Sequence, residues 1–143
     1  KGLQYCVKKK IECKIINYKK KYFAEKKILD ILYKKNINLI CLAGFMKILS
    51  KNFLKKFHYP VINIHPSLLP KYKGLNTHKR ALENKEKYSG CTVHYVNSKL
   101  DSGKIILQKK IKILKNDNPL SLEKKVLKME HILYPKALEK LIL

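Results

Sequence analysis

An α/β fold with a mostly parallel, doubly wound sheet is predicted by three features of the chain. Apolar runs of strand length at 39–43 and 61–64 alternate with segments of helical periodicity. That alternation continues through residue 86, the pattern of parallel strands joined by crossover helices. The second run ends in Asn63-Ile64-His65-Pro66, which sets polar groups at the carboxyl end of a strand, where such sheets bind ligands.

The elements follow in order. Residues 2–10 suit an amphipathic helix, and Lys14-Ile15-Ile16 a short strand. From 21 to 35, Ala24, Ile28, Ile31 and Leu32 recur at helical spacing and define one core face. Leu39 to Ala43, bounded by Asn38 and Gly44, is apolar throughout, which predicts a strand buried on both faces. Residues 45–56 suit a helix, and 61–64 a strand that Pro66 must end. Pro66, Pro70 and Gly74 mark 66–76 as a structured loop. Residues 77–86 are helix-like, Thr92–Val96 alternates as a strand, and 105–113 contains another. The last helix opens with Asn118 as its cap and Pro119 in its first turn. Leu122, Val126, Met129 and Leu133 share its buried face, and Pro135 is expected to kink or break it. There is no internal repeat and no flexible linker.

At 143 residues and 45% hydrophobic, the chain can bury a real core and is read as one domain spanning 1–143. No apolar run reaches membrane-spanning length, and no export signal is present, so no membrane partner is expected. The formal charge of +23 would suit nucleic acid. Against that, Arg80 is the only arginine, whereas phosphate and base readout use Arg heavily, and the lysines are spread along the whole chain. The charge is read as compositional bias that would still attract anionic small molecules. Cys6, Cys13, Cys41 and Cys91 lack the spacing of a zinc or redox site. Cys41 and Cys91 are expected to be buried free thiols, which fits a reducing cytoplasm.

Asn63 and His65, two residues apart on a strand, point to one side. Such an amide and imidazole can hold an oxyanion and move a proton, or can form a polar pair with no chemistry. Gly44 lies at the same edge of the preceding strand, so both can line one crevice. Asp101 begins Asp101-Ser102-Gly103 in the loop after the strand at 92–96. It is one of three aspartates, and on that feature alone it is better read as a turn residue.

Taken together, five ordered blocks resemble the folate-dependent formyltransferases: Leu42 to Leu49, Asn63 to Pro70, Gly74 to His78, Leu100 to Gly103, and Glu130-His131 with Tyr134-Pro135. The resemblance covers nearly the whole chain. Pro66 and Ser67 after the motif histidine are similar to the phosphoribosylglycinamide branch. Methionyl-tRNA formyltransferases typically carry Gly there, and the deformylases His-Ser-Phe. The resemblance implies a Rossmann-like fold and transfer of a formyl group from 10-formyltetrahydrofolate, the cosubstrate, to the amine of 5-phosphoribosylglycinamide. No tightly bound cofactor and no metal are implied. The family's catalytic triad maps onto Asn63, His65 and Asp101, with Asp101 orienting His65 and relaying a proton. Lys21, Met46, Lys47, Ile48, Leu49, Asn63 and Asn97 match the folate side, with simple core packing the other reading of Ile48 and Leu49. Gly44, Ile64, Pro66, Gly74 and Glu130 match the ribonucleotide side. Leu69–Pro70 matches a cis peptide.

The family's opening strand–helix–strand unit, with its phosphate-cradling loop, has no counterpart here, a gap of about forty residues. The chain starts at Lys1 and is read as part of a longer protein that would work in the cytoplasm as a monomer or weak dimer. Alone, it is expected to grip a phosphorylated substrate weakly, and the strand at 39–43 is expected to have an open edge. The alternatives are a formyltetrahydrofolate deformylase, a basic nucleic-acid-binding module, which leaves the triad unexplained, or an inactive fragment.

Overall fold

The computed structural model describes residues 2–142. By its internal contacts the chain divides into two compact units, Lys1–Ile37 and Asn38–Leu143.

The first unit holds two helices. α1 spans Gly2–Lys8 and buries none of its residues. α2 spans Lys21–Lys34 and buries Ala24, Glu25 and Leu29. Ala24 belongs to the predicted face, while Ile28, Ile31 and Leu32 are only partly buried. The strand expected at Lys14-Ile15-Ile16 does not form: these residues are in neither helix nor strand, and Ile15 is 77% exposed. A strand needs a ladder partner for its backbone groups. Polar side chains tie the unit locally, with Lys35 Nζ donating to Glu12 (2.6 Å) and Tyr18 Oη to Glu25 (3.1 Å).

The second unit is a four-stranded sheet in the order β1-β2-β3-β4. β1 is Ile40–Leu42, β2 Val61–His65, β3 Tyr88–Tyr95 and β4 Ile105–Lys112. β1 and β2 run parallel, joined through α3 (Lys51–Lys56). Both later pairings, β2 with β3 and β3 with β4, are antiparallel. The α/β class therefore holds, with a mixed sheet in place of the mostly parallel one. The helix α4 (Thr77–Glu83) lies between β2 and β3 in sequence, yet β3 returns antiparallel, an outcome that alternation alone does not encode.

Three further expectations are corrected. The helix expected over 45–56 begins only at Lys51, because Ser50 caps it: its side chain accepts from Phe53 N at 3.0 Å. Residues 44–50 are left as irregular chain. β1 is not buried on both faces: it is an edge strand of the described sheet, and Cys41 is exposed while Cys91 is buried. Pro135 does not break the last helix, α5, which runs from Pro119 to Ile142. Asn118 caps its start as expected, and the cap is reciprocal, with Ser121 N donating to Asn118 Oδ1 (2.9 Å) and Asn118 N to Ser121 Oγ (3.0 Å).

The core joins Ile62, Cys91 and Val93 of the sheet to Leu122, Val126, Leu133 and Ala137 of α5. Tyr134 locks this packing. Its hydroxyl donates to the carbonyls of Leu42 (2.8 Å) and Ile62 (3.3 Å), fixing the helix to the two parallel strands.

Candidate active site

Strand alternation sets the site. Asn63 lies opposite His94 and His65 opposite Thr92 in the β2–β3 ladder, so these four side chains share one face. Cys91 and Val93, at the intervening positions, go to the core. The face opens into a cavity of about 1030 Å³. Its lining includes Gly44 and residues 46–49 after β1, residues 63–66 of β2 and its exit, Gly74, Asn97, Asp101, and Glu130 on α5. Every residue assigned a site role from sequence thus borders this cavity except Lys21. That lysine belongs to the first unit and faces Glu25 one turn along α2, at 3.9 Å.

His65 is 6% exposed. Its Nε2 donates to the Tyr72 carbonyl at 2.9 Å, since a carbonyl can only accept. Its Nδ1 lies 3.4 Å from Asp101 Oδ2. The same carboxylate oxygen accepts from Gly74 N at 2.9 Å. Gly74 (φ 77°) and Asp101 (φ 42°) both sit in the left-handed region, which glycine adopts freely and Asp tolerates. Gly103 has a packing reason: a Cβ there would run into the Tyr95 carbonyl.

The 66–76 loop that supplies the Tyr72 carbonyl is braced from below. Thr92 Oγ1 donates to Ser67 O (2.6 Å) and accepts from Leu69 N (3.1 Å) and Gln108 Nε2 (2.8 Å). Gln108 also donates to Leu69 O (3.0 Å), and Ser67 Oγ to Lys71 O (2.6 Å). The Leu69–Pro70 bond within this loop is cis. On its outer side Arg80 donates to Lys73 O (2.7 Å) and lies over the Tyr72 ring.

Burial shapes the charges around the cavity. His94 is held below the usual histidine range by burial. The Tyr95 carbonyl and Asp101 oppose that shift, and His65 adds to it. His78 is lowered by burial, against the pull of Glu123, and its Nδ1 is buried with no hydrogen-bond partner among the described residues. Glu130 is raised by burial and by Glu123, against the nearby His131. The Cys91 thiol is pushed up to about 12 by burial, with Glu130 adding to it. Among the described residues no cluster of three or more His, Cys, Asp or Glu could hold a metal ion. No described helix is long and apolar enough to cross a membrane.

Sequence reasoning missed His94, His78 and the Tyr72 carbonyl. His94 had a usable signal, its alternation with Cys91 and Val93, but its neighbour Asn63 follows only from the register. Asn97, assigned to ligand binding, uses its Oδ1 within its own loop, accepting from Lys99 N (2.9 Å) and Ser102 Oγ (3.0 Å).

Comparison with known proteins agrees with this architecture. The Formyl transferase family model matches residues 2–138. A "Trifunctional purine biosynthetic protein adenosine-3" from Chironomus tentans is 44% identical over 96% of this chain and 10% of its own length. A "Phosphoribosylglycinamide formyltransferase" from Haemophilus influenzae is 45% identical over 74% of this chain and 50% of its own. The chain thus spans about a tenth of the trifunctional relative and at most about half of the bacterial one. The crystal structure of phosphoribosylglycinamide formyltransferase from Brucella melitensis superposes with a TM-score of 0.91 at 40% identity, over 98% of this chain and 73% of that one. The motif blocks, the mixed sheet and the family match agree: this chain belongs to the formyl transferase family.

Proposed function

We propose that this chain carries the catalytic part of a phosphoribosylglycinamide formyltransferase. It would transfer the formyl group of 10-formyltetrahydrofolate to the amine of 5-phosphoribosylglycinamide, in purine biosynthesis. The observation that carries the reading is the convergence of Asn63, His65 and Asp101 on one cavity in a chain of this family.

The amine attacks the formyl carbon and a tetrahedral oxyanion develops. The Asn63 amide and the His65 imidazolium donate hydrogen bonds to it. With Nε2 engaged by Tyr72, the proton offered to the cavity is the one on Nδ1. Its 3.4 Å separation from Asp101 is loose enough for a substrate oxygen to share that proton. Asp101 orients the ring and relays the amine proton, directly or through a water, toward the departing folate nitrogen. Met46, Lys47, Ile48, Leu49 and Asn97 take the folate. Gly44, Ile64, Pro66, Gly74 and Glu130 take the ribonucleotide, Glu130 through the ribose hydroxyls. On this reading the protein acts in the cytoplasm on small molecules, without nucleic acid, as a monomer or weak dimer.

The test is spectrophotometric formyl transfer from a 10-formyl folate to glycinamide ribonucleotide, by this chain and by the longest natural polypeptide that contains it. Turnover should fall on the order of 10²–10³-fold in His65→Ala. Folate hydrolysis without transfer would move the assignment to the deformylases, and absence of both would leave an inactive fragment.

A further inference from the structure

His94 has no role in the reaction as described, yet it is 2% exposed and touches two of its three groups. Its Nδ1 lies 2.8 Å from the Tyr95 carbonyl. That oxygen can only accept, so Nδ1 carries a proton and donates. In the neutral ring Nε2 is then a bare lone pair. It faces Asn63 Nδ2 at 3.4 Å and Asp101 Oδ1 at 3.8 Å.

We propose that His94, as the neutral imidazole with its proton on Nδ1, is a positioning residue that orients the Asn63 side-chain amide toward the cavity. The inference rests on the role given to Asn63 above. An acceptor at Nε2 selects the amide nitrogen of Asn63 over its oxygen, because the oxygen would meet the lone pair repulsively. One amide N–H is spent on His94, and the second remains to meet a developing oxyanion. A second proton on His94 would reverse this. Nε2–H would then oppose the Asn63 N–H groups and attract Asp101 Oδ1, drawing the carboxylate off His65 Nδ1. The charged and titratable groups facing the ring are His65 from β2 and Asp101 from the loop before β4. Burial and His65 disfavour the charged ring, while Asp101 and the Tyr95 carbonyl favour it. Position adds to the argument: Asn63 and His94 are direct cross-strand partners, so the contact is built into the ladder.

Two measurements test it. Long-range ¹H–¹⁵N correlation spectra of the labelled full chain read the His94 tautomer, and a proton on Nε2 alone, or on both nitrogens at neutral pH, overturns the proposal. The second compares His94→Gln, which keeps an acceptor near the Nε2 position and does not titrate, with His94→Leu, which keeps none. His94→Leu should lower kcat on the order of 10–100-fold with KM little changed, as expected for a misplaced catalytic group. His94→Gln should stay within about threefold of the parent kcat, an effect on the scale of a weakened contact, and lose the acidic limb that His94 contributes to the pH profile. Equal loss in both variants, or loss in neither, overturns the proposal. If the parent protein transfers no formyl group, the functional reading fails by itself. The tautomer and the Asn63 side-chain amide resonances, displaced in His94→Leu and retained in His94→Gln, then still decide whether His94 sets the amide.

Discussion

The two walls of the cavity are built on opposite principles. On the polar wall, His65, His94 and Asp101 are buried or nearly so, and each is within reach of a partner. On the apolar wall, Met46 is 69% exposed, Leu75 63% and Leu100 47%, although they border the same cavity. Preorganised dipoles act on a reaction because they need not reorganise as charge develops. Exposed apolar side chains in a concave site gain only when a ligand covers them. The first wall should therefore govern kcat and stability, and the second affinity.

That division can be broken most forcefully at Thr92. Thr92→Val keeps the shape but strands Leu69 N, Ser67 O and one contact of Gln108. A stability loss of about 2–4 kcal/mol is expected, since each buried group left unpaired costs about 1–3 kcal/mol. The denaturation midpoint measures it, and turnover should fall with it as the Tyr72 carbonyl loses its support. A loss within experimental error would show that the loop holds its shape without this brace. At the apolar wall, Met46→Ala should change stability by no more than about 0.5 kcal/mol, as surface substitutions do. Folate KM should rise about tenfold, the scale of burying a Met side chain on binding, with kcat unchanged. A drop in kcat instead would mean that the two walls are not separable.

The smallest effect is sought at Glu130, which also borders the cavity. Burial raises its folded pKa above the ordinary glutamate value. The folded state therefore holds the proton more tightly than the unfolded state. Its contribution to stability is full below the ordinary glutamate range and is lost as pH rises through the raised folded value. Glu130→Gln should flatten that decline in Tm against pH and should weaken ribonucleotide binding. Parallel curves for the two proteins would remove burial of this carboxylate as a cause.

Much of the site was legible because its residues are close in sequence and their geometry is local. Asn63 and His65 share a face through strand periodicity alone, Asn118 caps its helix within one turn, and Gly74 occupies a positive-φ position. The helix over 45–56 was misplaced for a local reason. Apolar spacing before Ser50 resembles helix, while the Ser50 cap at the true start carries no periodic signal. The strand at 14–16 and the burial of Cys41 were misread for a different reason, since both depend on which strands lie alongside.

By itself, then, the sequence determined the α/β class, the strand that ends in Asn63-Ile64-His65, the last helix and its cap, and the family resemblance. These are set by hydrophobic period, turn chemistry and side chains within a few residues of one another. Only the tertiary structure decided that β3 returns antiparallel, that Asp101 meets His65 from a loop 36 positions on, and that His94 faces Asn63 across the ladder. Those contacts depend on strand order and register. A shift of one residue would turn His94 to the opposite face of the sheet, and no local pattern in the chain fixes that register in advance.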